Sequence, residues 1–146
     1  MAEERKEHVM RESKLIFEWI NKFHPNSLQW RRVQLGPVIE HEEARLMGVL
    51  RRWADAVFLA KDVVYIVEAA WAPDPGKVSQ LELYKQLFPK TQKFSAWKDK
   101  EIKLIFLTTK IDKEVKDLCE EHGIEFVLYA PAWVKEQWEE MIKRGY

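Results

Sequence analysis

The most apolar run of the chain constrains its fold more than any other feature. Residues 63–70 read V-V-Y-I-V-E-A-A, a nearly continuous series of β-favouring residues interrupted by a single acid, Glu68. Such a run is typical of a central strand that is buried on both faces, because each face must then be apolar. An ionised carboxylate without a partner is strongly disfavoured in that setting. If Glu68 is ionised, it therefore requires a group that stabilises its charge.

The other elements place this strand inside a mixed sheet. Apolar periodicity predicts helices over residues 4–23, 77–87, 112–122 and from after Pro131 to about residue 143. Strand patterns occur at 28–35, 46–59, 104–108 and 124–128, and residues 90–101 read as a loop or broken helix. The order α-β-β-β-α-β-α-β-α predicts an α/β fold, a mixed sheet flanked by helices. We expect one domain over residues 1–146.

Composition narrows the functional classes. A hydrophobic content of 47% with 33% charged residues is typical of a globular protein. No apolar run approaches the roughly 20 residues of a transmembrane helix. The N-terminal segment M-A-E-E-R-K-E-H has no apolar signal core. These features predict a cytoplasmic protein without a membrane partner. The single Cys119 excludes an internal disulfide and a four-cysteine metal site.

Basic side chains are unevenly distributed, although the formal net charge is zero. Six lysines fall between residues 85 and 103 against two acids, and arginine pairs occur at 31–32 and 51–52. A phosphate backbone could engage such positions. A solvated lysine-rich loop is an equally good interpretation of 85–103 taken alone. The candidate nucleic-acid contacts are Arg51, Arg52, Lys85, Lys90 and Lys93.

A second acid interrupts a neighbouring strand pattern. Asp55 lies in W-A-D-A-V-F, thirteen residues before Glu68, and a short turn at Lys61-Asp62 separates the two strands. Pairing with Arg52, or a sheet-end position in water, would explain Asp55 alone. Two carboxylates on consecutive strands can come into register, and like charges that close repel unless a cation sits between them. The pair indicates a divalent-metal site.

Two helices could contribute further groups. On the first helix Glu12 falls in the apolar stripe between Ile16 and Trp19; a salt bridge to an arginine is the alternative interpretation. On the helix after the Glu68 strand, Gln80 and Tyr84 are four residues apart and share a face with Lys77. These residues are weak indicators singly. Their weight comes from following the two strand carboxylates at short distance.

This set of residues resembles the PD-(D/E)XK nuclease superfamily, in particular the small RecB-like nucleases with a Gln-x-x-x-Tyr motif. The resemblance covers roughly residues 5–130 and implies a restriction-endonuclease-like core. It implies a Mg²⁺- or Mn²⁺-dependent hydrolase that cuts DNA, with possible homodimerisation. The implied metal ligands are Glu12, Asp55, Glu68 and the backbone carbonyl of Ala69. Gln80 and Tyr84 would position the nucleic-acid strand or the attacking water.

The chain departs from this pattern at Ala70, where the superfamily has a catalytic lysine two residues after the glutamate. Three explanations compete: an engineered Lys→Ala change, a lysine that has migrated to the helix (Lys77 first, Lys85 second), or a natural pseudonuclease. The leading hypothesis is a metal-dependent DNA nuclease inactivated at this position. The alternative is a non-catalytic module that binds nucleic acid or a protein.

Overall fold

A five-stranded mixed sheet forms the centre of the molecule. The computed structural model describes residues 2–37 and 52–145. The helices are α1 (Ala2–Phe23), α2 (Pro75–Leu87), α3 (Lys113–Glu121) and α4 (Ala132–Lys143), and two 3₁₀ segments span Phe88–Lys90 and Gln92–Trp97. The strands are β1 (Leu28–Leu35), β2 (Arg52–Ala60), β3 (Val63–Ala70), β4 (Glu101–Thr108) and β5 (Ile124–Leu128). The predicted α/β class is confirmed, and the predicted order of elements is confirmed for the residues that the structure describes; residues 46–51 of the predicted second strand lie outside them.

The strands are ordered β1-β2-β3-β4-β5, so β3 is central. The first three are antiparallel, and β3, β4 and β5 run parallel. The turn between β2 and β3 has positive φ at both Lys61 (50°) and Asp62 (64°). Two consecutive positive φ values are what a tight hairpin turn requires, because they match the twist of the flanking strands. The sequence prediction of a turn at this dipeptide is confirmed.

Each face of the sheet carries its own apolar core. On one face, called here the α2 face, strand residues pack against α2, α3 and the 3₁₀ segments through Leu81, Phe88 and Phe94. On the other, the α1 face, they pack against α1 and α4 through Trp19 and Met141. Because β3 contributes to both cores, it is buried on both sides, as its sequence predicts. Within the described residues, no helix combines the length and apolarity needed to cross a bilayer.

The start of α2 is fixed close to the end of β3. Asp74 is the N-cap and its side chain accepts a hydrogen bond from the Gly76 N–H at 2.9 Å, while Pro75 occupies the first helical turn. Only a short connection separates Ala70 from this cap. The first turn of α2, with Lys77, is therefore held beside the carboxyl end of β3.

Candidate active site

Asp55 lies at the point where β2 and β3 stop pairing. The regular register ends with Ala56 opposite Val67. Two residues further along β3, the Ala69 N–H donates to the Asp55 side chain, at 2.9 Å from Oδ2. The Ala69 residue is fully buried. A buried N–H must find an acceptor. The Asp55 carboxylate supplies that acceptor while the two strands separate, so the carboxylate is held at the mouth of the gap between them.

Glu68 is the next acid in the site and is only 3% exposed. Burial first, and the neighbouring Asp55 second, raise the pKa of Glu68 to about 10, although Lys77 and Tyr84 act in the opposite direction. Its Oε2 atom has no hydrogen-bond partner among the described residues. Glu68 is therefore protonated at neutral pH in the absence of a cation. Because Asp55 raises the pKa of Glu68, the two strand acids lie close to each other.

Lys77 reaches this locality from α2. Its Nζ donates to the Ala69 carbonyl oxygen at 2.6 Å and to Glu12 Oε2 at 3.0 Å. Burial alone would lower the pKa of Lys77, but Glu12, and after it Asp55 and Glu68, outweigh burial, so that the net pKa is raised. Lys77 therefore keeps its proton. Glu12 is paired with this lysine, whereas the alternative sequence interpretation gave it an arginine partner.

Tyr84 and Gln80 follow Lys77 on the same face of α2. The Tyr84 hydroxyl donates to the Trp53 carbonyl oxygen at 2.9 Å and lies 3.5 Å from Gln80 Oε1. Burial first, and then Glu68, raise the pKa of the Tyr84 phenol, so it stays neutral. Tyr84 is buried, whereas Gln80 is exposed. Tyr84 thus ties α2 to β2 two residues before Asp55, and Gln80 faces the solvent beside it.

Ala70 lies on the same side of β3 as Glu68 but within the α2-face core. It is 2% exposed, belongs to the cluster that contains Val33 and Ala54, and pairs with Thr108 of β4. A lysine at position 70 would have to extend from this apolar environment towards Glu68. Among the described residues, the structure therefore places Lys77 at the site, whereas the position to which the resemblance assigns a lysine holds the apolar Ala70.

The predicted ligands are brought together as two groups. Asp55 and Glu68 are neighbours, whereas Glu12 and the Ala69 carbonyl are bridged by the Lys77 ammonium. Within residues 2–37 and 52–145, no set of three or more His, Cys, Asp or Glu side chains is arranged to hold a metal ion. The ammonium of Lys77 thus contacts two of the four oxygen groups that the resemblance assigns to a metal.

The structure brings to the site two residues that the sequence indicated only as a basic pair and that are not among the candidate contacts named above. A small cavity of about 50 Å³ is lined by Glu12, Ser13, Ile16, Arg31, Arg32 and Asp55. The sequence shows Arg31 and Arg32 as a basic pair inside a strand-like run, and this was the available signal. Their proximity to Asp55 depends on the pairing of β1 with β2, which composition does not reveal.

The predicted nucleic-acid contacts are mostly exposed. Arg52, Lys85, Lys90 and Lys93 are solvent-exposed in the structure, and Arg51 lies outside the described residues. Burial is the main cause of the raised pKa of Tyr84, and the positive charge of Arg52 acts on this pKa in the opposite direction. Arg52 therefore lies beside the site. Lys90 and Lys93 lie in the 3₁₀ segments that follow α2.

The comparisons with known proteins relate this chain to nucleases through its fold. No protein-family model matches it, and no curated protein does. A repair endonuclease from Pyrococcus abyssi superposes with a TM-score of 0.52 at 17% identity, over 81% of this chain and 46% of that one. EndoMS in a complex with double-stranded DNA gives 0.53 at 16% identity, over 82% and 45%. Protein VC1899 from Vibrio cholerae gives 0.51 at 13% identity, over 88% and 30%.

These similarities concern architecture. The chain spans less than half the length of each of these three solved proteins. At such low identity the shared feature is the fold, not the site residues. The chain therefore has a nuclease-like fold, which it shares with the repair endonuclease from Pyrococcus abyssi.

Proposed function

We propose that this chain is a divalent-metal-dependent nuclease that hydrolyses phosphodiester bonds in DNA, with Lys77 in the role that the superfamily gives to a strand lysine. One observation carries the proposal: Lys77 Nζ lies 2.6 Å from the Ala69 carbonyl and 3.0 Å from Glu12, beside the two strand acids. Of the three explanations for Ala70, this contact supports a lysine that has migrated to the helix.

The donor set suits a hard divalent cation. Carboxylate and carbonyl oxygens are the ligands that Mg²⁺ accepts, and the buried Glu68 Oε2 lacks a partner among the described residues. Asp55, Glu68 and the Ala69 carbonyl would hold Mg²⁺ or Mn²⁺, with Glu12 alongside. The bound ion would supply Lewis acidity and favour deprotonation of the attacking water.

Lys77 would act as a cation and not as a base. Because its pKa is raised, it keeps its proton at neutral pH. An ammonium can orient the attacking water by donating a hydrogen bond, and it can stabilise negative charge that builds up on the phosphate. Freed from the Ala69 carbonyl, it would still be held near the reacting group by Glu12.

Tyr84 and Gln80 would position the nucleic-acid strand. Tyr84 fixes α2 against β2 through the Trp53 carbonyl and leaves Gln80 exposed beside the site. Arg52 and the lysines of the α2–β4 region would contact phosphates. DNA as the substrate is supported by the EndoMS complex, which contains double-stranded DNA.

A binding module without catalysis is the second candidate. One observation favours it: the Lys77 ammonium contacts two of the four predicted metal ligands, and Glu68 is protonated beside them. An internal cation of this kind can take the place of a metal ion permanently. Such a domain would hold nucleic acid or a protein without cutting.

A nicking assay separates the two candidates. Supercoiled plasmid, branched and single-stranded DNA are incubated with the wild-type chain and Mg²⁺ or Mn²⁺, alongside Lys77→Ala and the control Lys135→Ala, a change on the exposed surface of α4. Metal-dependent cleavage that is lost only in Lys77→Ala supports the nuclease. Calorimetry that detects DNA binding without cleavage by any form supports the binding module.

A further inference from the structure

Arg31 and Arg32 both line the cavity that contains Asp55, although they are consecutive residues of one strand. In a regular strand, neighbouring side chains point to opposite faces of the sheet. The exception has a backbone cause, because Arg32 has φ of +48°. This left-handed conformation lets two adjacent side chains reach the same side.

The core residues around Arg32 show the same interruption in the alternation of side chains between the two faces of the sheet. Trp30 and Val33 both pack on the α2 face although they are three residues apart, an odd spacing that a regular strand does not allow. On β2, Ala54 packs on the α2 face and Ala56 on the α1 face, although an even spacing should keep them together. Arg31 pairs with Ala56 and Val33 with Ala54, so Arg32 lies opposite Asp55. The alternation of side chains between the two faces of the sheet is therefore interrupted on both strands at the same place, Arg32 on β1 and Asp55 on β2.

This conformation is unfavourable for arginine. A residue with a Cβ atom clashes in the left-handed region, and glycine is the usual occupant. Within the described part of the chain, no carboxylate lies within ion-pair distance of Arg32. A salt bridge within the described chain therefore does not explain why position 32 is an arginine. Residues with an unfavourable backbone conformation are concentrated at binding sites.

We infer that Arg31 and Arg32 form a phosphate-binding subsite at the mouth of this cavity, which takes a phosphodiester of the nucleic-acid strand; this rests on the proposed function. A phosphate that approaches Asp55 and Glu12 meets like charge, and two guanidinium groups on the cavity wall offset that repulsion. Arg31 stacks on the Phe17 ring, with its guanidinium carbon 4.3 Å from the ring centroid. The planar donor array of arginine suits phosphate oxygens.

The test uses two glycine substitutions that make the same backbone and charge change. Arg32→Gly removes the guanidinium at φ of +48°, and Lys61→Gly removes a cation at φ of +50° in the hairpin turn, at the other end of β2. Neither should lower the melting temperature, since glycine tolerates this conformation. Affinity is measured by fluorescence anisotropy on labelled duplex and single-stranded DNA in Ca²⁺, across a salt series. Arg32→Lys reports whether charge alone suffices.

We expect Arg32→Gly to weaken binding at least about tenfold and to reduce the slope of log affinity against log salt by about one. Lys61→Gly should bind like the wild type, and Arg32→Lys should recover part of the loss. Unchanged affinity and salt slope in Arg32→Gly, an equal loss in Lys61→Gly, or no DNA binding by the wild type would each overturn the subsite. DNA binding that depends on Arg32 without any cleavage would keep the subsite and reject the nuclease.

Discussion

The Asp55 carboxylate accepts the backbone N–H of Ala69 at 2.9 Å, where a regular β2–β3 ladder would have offered a main-chain carbonyl. One side chain thus serves two purposes: it completes the hydrogen bonding of a buried donor, and it faces the cavity with Glu12. Substitutions at Asp55 can separate the structural role from the chemical one.

Asp55→Asn should keep most of the stability, because the amide oxygen can still accept the Ala69 N–H. Asp55→Ala should lower the free energy of unfolding by about 1–3 kcal/mol, since the buried donor loses its acceptor. Both should abolish metal-dependent cleavage. Urea denaturation measures the first effect and the nicking assay the second. Equal stability of the two variants would show that the Ala69 N–H finds another acceptor.

Lys77→Ala should reduce cleavage by roughly 10²–10³-fold, the typical effect of removing a group that stabilises developing charge. Adding Ala70→Lys to this variant should restore part of the activity, because position 70 lies on the same side of β3 as Glu68. Single-turnover kinetics on supercoiled plasmid measures both effects.

The single variant Ala70→Lys is the matched control for this exchange. Position 70 is buried in the apolar core, so we expect the variant to be less stable whether or not it cleaves. If Lys77→Ala cleaves as fast as the wild type, the helix lysine has no catalytic part.

Stability should fall as the pH rises, because of Glu68. Its pKa is raised to about 10, first by burial and second by Asp55, so its contribution to folding is fully present below its ordinary value of 4.5 and is lost as the pH approaches 10. In this interval the folded chain binds one more proton than the unfolded chain. The free energy of unfolding should decrease by up to about 1.4 kcal/mol per pH unit.

Glu68→Gln should remove that dependence, since glutamine is uncharged at every pH. The control is Glu101→Gln, on an exposed position of β4. Chemical denaturation of the metal-free protein between pH 5 and 9, in roughly unit steps, provides the comparison. Parallel curves for wild type and Glu68→Gln would show that Glu68 is ionised when folded.

Tyr84→Phe should lower the free energy of unfolding by about 0.5–1.5 kcal/mol, because the part-buried hydrogen bond from the Tyr84 hydroxyl to the Trp53 carbonyl is lost. Tyr65→Phe is the control: the Tyr65 hydroxyl makes no hydrogen bond to the residues that the structure describes, and its ring stacks on Phe58. Because Tyr84 joins α2 to β2, hydrogen exchange should also quicken in α2. No difference between the two variants in denaturation would remove this role.

Charge reversal at Lys90 and Lys93 should weaken DNA binding and flatten its salt dependence. Both side chains are exposed in the 3₁₀ segments after α2, where they could contact phosphates and release the cations condensed on the DNA. Lys113→Glu with Lys116→Glu, on exposed positions of α3, makes the same charge change elsewhere. If both double variants lose affinity equally, net charge alone governs binding, and the lysine-rich segment is a solvated loop.

The sequence predicts the frame of the molecule well because its signals are local. The apolar run at 63–70 gives the central strand, Asp112 caps α3 by accepting the Val115 N–H, and Gly123 follows that helix with φ of +67°. The strand prediction began at Leu104 and missed the start of β4 at Glu101, because the charged Glu101 and Lys103 flank a single apolar residue, Ile102, and hide the strand pattern there.

The site is less predictable because it depends on distant parts of the chain. Glu68 and Asp55 are conspicuous as acids in apolar strands, and sequence spacing suffices to pair them. The contact between Lys77 and Glu12 joins residues 65 positions apart, and no periodicity reports it. The backbone of Arg32 is harder still, since nothing in a strand-like run indicates a left-handed residue.

The β2–β3 hairpin is closed at one end by its tight turn at Lys61-Asp62, and its two strands separate at the other end, where the pairing stops at Ala56 and Val67. The width of the opening is set by strands fixed within the sheet and not by a loop that must close over a substrate. Geometry built on strands is held more rigidly than geometry built on loops. The two strands should therefore keep their separation with or without a ligand. Selectivity among ligands should depend on the side chains at the open ends of these strands.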